Sequence, residues 1–253
     1  MKNEGPDRLE AYRIIEEWVS AKNLTMRLNL SGLNLRTLPP IPDTVTDLSC
    51  GNANLEYIAD SCIPAKLSIF NCTNSPKLKK LPILPDTVTI INIKESSGIT
   101  ELLQLPTSLK TLLMERTAIR VLPNLHYGLE CLTCSYVPIK VLPTLPQTLV
   151  MLDVRYTLIN TIPELPPFLQ YLNCSGTPVK IIPAFPFALR YFECKNCPNL
   201  LIKRNVDETL YLYSERWLKW RLEKQTVEIT TSLTNNFKEE LIEKVWVDAN
   251  IEN

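Results

Sequence analysis

The chain of 253 residues carries 27 basic and 27 acidic side chains and a single histidine. That balance predicts no nucleic-acid footprint, which would show as a clustered basic excess. No run approaches the roughly eighteen apolar residues of a membrane span, and the first residues lack the apolar segment behind a basic end that marks a cleavable signal peptide.

Residues 7 to 21 predict an amphipathic helix with Leu9, Tyr12, Ile15, Trp18 and Val19 on one face. Asp7 is the expected N-cap, and Glu16 and Glu17 face outward. Residues 1–23 are therefore read as an N-terminal helical cap.

A repeat follows. "VLPNLHYGLECLTCSYVPIK", "VLPTLPQTLVMLDVRYTLIN", "TIPELPPFLQYLNCSGTPVK" and "IIPAFPFALRYFECKNCPNL" are consecutive blocks of twenty residues. Full copies of x-L-P-x-L-P-x-x-L-x-x-L-x-C/V/M-x-x-T/S-x-I/L-x start at residues 37, 57, 80, 101, 121, 141, 161 and 181. With a half copy before ("RLNLSGLNLR") and a degrading one after ("LIKRNVDETLYLYS"), the array spans residues 24–214. Such a period identifies a stacked solenoid of the leucine-rich-repeat class, with one strand per repeat.

The expected strand is L-x-C/V/M, as in Leu152-Asp153-Val154. Alternation turns its apolar residues inward and their neighbours outward. The rest of a twenty-residue repeat is too short for a return helix. Proline fixes φ and extends the residue before it, so Leu-Pro-x-Leu-Pro predicts an extended, polyproline-like convex side, leucines inward and prolines outward. Nine parallel strands about 4.8 Å apart make a concave sheet roughly 40 Å across. The residue that closes each turn is Ala53, Ser75, Ser96, Thr117, Val137, Thr157, Thr177 or Cys197. Hydroxyls there can bond the turn backbone, whereas Ala53 and Val137 predict looser turns.

Residues 215–253 are read as a C-terminal helical cap or extension. "SERWLKWRLEKQ" and "TNNFKEELIEKVW" predict two helices, with Ser214 and Thr234 as candidate caps. Open solenoid ends need such covers.

The short N-terminal helix, "NLTMRLNLSGLNLRTLPPIPDTVTDLSCGNANLEYI" and the reiterated LPxLPxxL resemble the bacterial secreted leucine-rich-repeat effectors of the YopM and IpaH/SspH type, over about residues 7 to 210. The resemblance implies delivery by a bacterial secretion system into the host cytoplasm, where the repeats bind host proteins. The IpaH/SspH branch also carries a ubiquitin-ligase domain with a catalytic cysteine in a C-x-D motif. No cysteine lies beyond Cys197 in this sequence, so that residue has no counterpart and the repeat-only YopM pattern is the nearer one.

Cys50, Cys72, Cys134, Cys174 and Cys194 share the second inward strand slot, which Ile93, Met114 and Val154 fill elsewhere. Cysteine there is a small apolar core residue, which suits a reducing cytosol. Asn-x-Ser/Thr triplets at Asn23, Asn29, Asn71 and Asn173, three of them inside predicted strands, also speak against a secretory lumen. "CLTC" (131–134) and "CKNC" (194–197) lack four convergent ligands, so no metal is expected. His126 replaces the second proline of its repeat, as a surface substitution without the partners of a catalytic triad. No glycine-rich phosphate loop is present, and neither cofactor nor enzyme activity is expected.

The outward strand positions remain. Met151, Tyr171 and Tyr191 form a stripe beside Asp153, Asn173, Glu193, Arg155 and Lys195, an aromatic line with a charged rim of the kind that binds protein. The competing reading is cross-strand tiling of the tyrosines. The expected function is a non-catalytic protein-binding scaffold. The alternatives are the substrate-recruiting part of an effector ubiquitin ligase, and a structural repeat protein in the cytoplasm of the producing organism.

Overall fold

The computed structural model describes residues 5–21, 26–203, 205 and 208–251, with side chains described to residue 232 except 229 and 230. The chain divides into two units, Met1–Lys203 and Arg204–Asn253.

The first unit opens with α1 (Pro6–Ser20). Gly5 occupies the N-cap and Pro6 the first turn, where its missing N–H costs nothing. Asp7 therefore sits within the first turn, favoured by the helix dipole, and does not cap. The buried face is also not the expected one: it runs through Ala11, Ile15 and Trp18, while Leu9 and Val19 are exposed. Ala11 takes the tight contact because the helix lies close against the strand that follows. Trp18 Nε1 donates to the Met26 carbonyl at 2.9 Å, and Arg8 Nη1 to the Thr37 carbonyl at 2.9 Å, tying the helix to the first repeat.

Nine short strands follow: β1 (Leu28–Asn29), β2 (Asp47–Ser49), β3 (Ile69–Asn71), β4 (Ile90–Asn92), β5 (Thr111–Leu113), β6 (Cys131–Thr133), β7 (Met151–Asp153), β8 (Tyr171–Asn173) and β9 (Tyr191–Glu193). They stack in sequence order as one parallel sheet. The paired residues begin one position earlier than the L-x-C/V/M reading. The inward column Leu28, Leu48, Phe70, Ile91, Leu112, Leu132, Leu152, Leu172 and Phe192 is buried throughout. The next inward slot holds buried Cys50, Cys72, Cys134 and Cys174 among Ile93, Met114 and Val154. Each repeat alone would leave these side chains in water; the stack buries them.

The return path is extended, with inward Leu122, Leu142, Leu145 and Ile162 buried. The second prolines correct the outward assignment: Pro106, Pro146 and Pro166 are buried. Each begins a tight turn whose carbonyl accepts the N–H three residues on, as with Leu109 to Pro106 at 3.1 Å and Leu149 to Pro146 at 3.0 Å. The proline thus stops the return path and starts the bend back into the sheet.

The turn after each strand carries the expected hydroxyls. Thr117, Thr157 and Thr177 donate to the carbonyls of Met114, Val154 and Cys174 at 2.9, 2.7 and 2.6 Å. Ser75 and Ser96 link neighbouring turns, accepting the N–H groups of Asn52 and Ser75 at 3.1 Å each. Val137 does not loosen its turn. It is buried, and the Tyr136 N–H beside it still reaches the Arg155 carbonyl at 3.0 Å. In the turn after β2 the inward residue is Asn52, not Ala53, which is exposed. Gly51 in the same turn runs so close to the Thr73 backbone that a Cβ would lie 1.9 Å from its carbonyl oxygen.

In the second unit, α2 (Leu210–Ile251) is one continuous helix of 42 residues, not two. Ser214 lies inside it, its hydroxyl bonded back to the Tyr211 carbonyl at 2.7 Å. Thr209 supplies the cap, its Oγ1 accepting the Leu212 N–H at 3.2 Å. The side chain of Thr234 lies outside the described residues. The sequence around it carries neither proline nor glycine, so nothing interrupts the helix. Helix occupies residues 210–214, which the repeat pattern had assigned to a last partial copy.

Candidate protein-binding face

In-register parallel pairing puts Met151 beside Tyr171 and Tyr171 beside Tyr191, and likewise Asp153 beside Asn173 beside Glu193. The first column is open. Met151 is 37% and Tyr191 43% exposed, with Tyr171 half-buried between them. The rings of Tyr171 and Tyr191 stack at 4.5 Å between centroids with 4° between planes. The tyrosines therefore do tile one another, and the tiling leaves a flat aromatic surface facing solvent.

The middle column is withdrawn. Asp153 is 5% and Asn173 2% exposed, because side chains in adjacent strands shield them. Asn173 Oδ1 accepts the Ser175 N–H at 3.0 Å, and Asp153 Oδ1 the Arg155 N–H at 3.2 Å. Asn29 does the same for Ser31 at 3.1 Å, so this column chiefly serves the turns. Burial pushes the Asp153 carboxyl above its ordinary range, against the opposing pull of the Arg155 N–H and guanidinium. Arg155 Nε lies 3.3 Å from Asp153 Oδ2.

Glu193 is the hub of the open end. It pairs with Lys195 at 2.6 Å, accepts from Tyr191 Oη at 2.8 Å and from Asn173 Nδ2 at 3.2 Å. The Lys195 ammonium, then the Tyr191 hydroxyl, hold its carboxyl below the ordinary range. The same bond pushes the Tyr191 phenol up to about 12, since ionising it would set two anions together. Six of the eight residues singled out from sequence thus form one exposed surface, and two lie beneath it.

A second feature escaped the sequence reading. Two residues after the inward slot the backbone takes positive φ at Asn74, Glu95, Arg116, Tyr136, Tyr156, Gly176 and Asn196. Left-handed backbone swings these side chains along the rim of the sheet. Glu95 pairs with Arg116 at 3.2 Å, Arg116 lies 5.1 Å over the Tyr136 ring, and Tyr136 stacks on Tyr156 at 4.6 Å. The Tyr156 ring then covers Gly176, where a Cβ would stand 2.4 Å from it. The twenty-residue spacing of Tyr136, Tyr156 and Gly176 was the available signal.

The remaining candidates are structural in position. Cys131 faces the open side and is half-buried, while Cys134 is buried, so the "CLTC" thiols lie on opposite faces. Among the described residues no three histidine, cysteine or acidic side chains converge on a possible metal position. His126 is half-buried rather than on the surface. Its Nδ1 accepts the Gly128 N–H at 3.1 Å, holding the bend that proline makes in other repeats.

No protein-family model matches the sequence, and no curated protein matches it. Among solved structures, YopM from Yersinia enterocolitica WA-314 superposes with a TM-score of 0.62 and 22% identity, over 74% of this chain. The fold is that of a leucine-rich-repeat solenoid. The match spans 46% of that YopM chain, less than half its length. A looser superposition, TM-score 0.49 at 26% identity, covers 72% of this chain and 72% of a Shigella effector leucine-rich-repeat domain. Among the described residues of this leucine-rich-repeat chain, no helix is long and apolar enough to cross a membrane.

Proposed function

We propose that this leucine-rich-repeat chain is a non-catalytic protein-binding scaffold, and that its partner docks on the strand face around Met151, Arg155, Tyr171, Tyr191, Glu193 and Lys195. The observation that carries this reading is the stacked pair Tyr171–Tyr191, flat and open to solvent beside the Glu193–Lys195 ion pair. Rigid aromatic surface with a charged border is what interface hot spots favour. The repeats hold that surface at fixed spacing, so little ordering is required on binding.

The partner is a host protein and the chain an effector delivered by a bacterial secretion system. The LPxLP motif and the solenoid shared with YopM support that assignment. In this reading residues 1–23 cap the first repeat, the repeats from residue 24 form the binding array, and the segment that is helical from Leu210 serves as a C-terminal cap or extension.

The test is affinity capture from a eukaryotic lysate, with wild type beside the Tyr171→Asp/Tyr191→Asp variant, after circular dichroism has shown both to be folded. A protein retained by wild type and lost with the variant supports the assignment. Equal capture by both, or none by either, overturns it.

A further inference from the structure

The opposite flank of the solenoid, where each turn runs into the return path, has its own pattern. Backbone bonds hold neighbouring repeats in register there: Ala118 N–H to Ile99, Leu158 to Ile139 and Leu201 to Lys180, each at 3.0 Å. Equivalent residues therefore line up in columns, about 5 Å apart per repeat. Beyond the Arg36–Glu56 ion pair, one column runs Lys79, Thr100, Arg120, Lys140, Asn160 and Lys180, all exposed. The next runs Val121 (75% exposed), Val141 (66%), Thr161, Ile181 (47%) and Leu201 (61%).

Two contrasts set this flank apart. On the strand face and rim the cations are paired: Lys94 with Glu115, Arg116 with Glu95, Arg155 with Asp153, Lys195 with Glu193. Among the described residues, none of the four flank cations has an ion pair or side-chain hydrogen bond. Between residues 118 and 203 the return segments and turns beside these columns carry one carboxylate, Glu164. Glu101, one repeat before Val121 in the aliphatic column, marks where the stripe begins. The second contrast is the aliphatic column itself. Such exposed branched side chains add nothing to the solubility of a charged flank, and their regular spacing makes an apolar line interrupted only at Thr161.

We infer that this flank is a peripheral docking surface for an anionic lipid bilayer. Lysine and arginine at headgroup level attract acidic lipids, and the adjacent aliphatic line enters the headgroup–acyl boundary. A phosphodiester backbone would engage the cations and leave the aliphatic column in water. An acidic peptide would do the same, and the flank offers it no strand edge to pair with. A bilayer uses both columns at once. The surface is separate from the strand face, so a protein partner and a membrane can be held together, and the two assignments stand or fall independently.

The test is co-sedimentation of the full chain with phosphatidylcholine vesicles, with and without phosphatidylserine. Wild type sediments with the phosphatidylserine vesicles alone and is released by high salt. Arg120→Glu/Lys140→Glu/Lys180→Glu binds at least about tenfold more weakly, given the attraction each surface cation contributes. Val141→Ser/Ile181→Ser binds severalfold more weakly at unchanged charge. The neutral variant Arg120→Gln/Lys140→Gln/Lys180→Gln, with a wild-type circular dichroism spectrum, separates lost binding from lost fold. Failure of wild type to sediment overturns the inference, as does undiminished binding by the folded charge variants. Full binding by Val141→Ser/Ile181→Ser, with displacement from the vesicles by polyglutamate, overturns it in favour of an acidic-peptide site.

Discussion

Tyr171 and Tyr191 stack face to face at 4.5 Å, and the hydroxyl of Tyr191 is held by Glu193 at 2.8 Å. The pair is thus fixed at its rings and at one tip. A double-mutant cycle with Tyr171→Ala and Tyr191→Ala, read by urea denaturation, should give a coupling of about 0.5–1.5 kcal/mol. Because both rings retain solvent exposure, neither single variant should cost more than about 1.5 kcal/mol. A larger loss would show that the rings are structural supports and not available for a partner.

Asp153 offers a pH-dependent test. Its carboxyl is raised by burial, so the folded chain binds that proton more tightly than the unfolded one. The sign follows: ionised Asp153 opposes folding, and its cost appears as pH rises from the unfolded value of about 3.9 through the higher folded one. Asp153→Asn keeps the acceptor for the Arg155 N–H, as Asn173 does for Ser175, and removes the charge. It should raise the melting temperature at pH 7, with the gain vanishing below about pH 4. A loss at pH 7 would show that the Arg155 ion pair outweighs desolvation.

The period made most of the fold legible. Twenty-residue spacing located nine strands, their parallel order and the hydroxyl-filled turns, because each repeat must meet its neighbours in the same geometry. What it missed depends on backbone detail within a repeat. Pattern alone cannot see that Gly51 passes against the Thr73 backbone, or that Asn52 and not Ala53 is the buried residue of that turn. Nor does outward alternation reveal depth: Asp153 and Asn173 point to the open face yet are covered by neighbours on adjacent strands. The rim ladder at Tyr136 and Tyr156 needed positive φ, which non-glycine residues rarely adopt and sequence seldom signals. At the C-terminal end two amphipathic segments read as two helices, since side-chain pattern does not report an uninterrupted backbone.

Glycine substitutions separate two kinds of close approach. At Gly98 an added Cβ would meet the Pro76 and Leu78 carbonyl oxygens at 2.3 and 2.5 Å, both backbone atoms unable to yield. At Gly176 the obstacle is the Tyr156 ring at 2.4 Å, which can rotate away, although φ of +70° adds strain. Gly98→Ala should therefore cost about 3 kcal/mol or more by chemical denaturation, and Gly176→Ala about 1–2 kcal/mol. The second variant should also change the near-ultraviolet signal as the Tyr136–Tyr156 stack opens. Equal costs would mean that the tyrosine is as firmly fixed as backbone.

The cysteines give a direct check on which slots are core. Cys50, Cys72, Cys134 and Cys174 are wholly buried, whereas Cys131 and Cys194 retain partial exposure. A maleimide reagent at neutral pH should label Cys131 and Cys194 in the native chain, and Cys50, Cys72, Cys134 and Cys174, the four with no exposed surface, only after denaturant is added. Burial raises the Cys131 thiol above its ordinary range, with Lys94 opposing the shift and Glu115 and Asp153 adding to it. Its labelling should therefore accelerate with pH beyond the point where an unperturbed thiol has already ionised. Peptide mapping of the labelled sites decides it. Native labelling of Cys72 or Cys134 would mean that the stacked repeats open locally, and that the cysteine column is not the closed core drawn here.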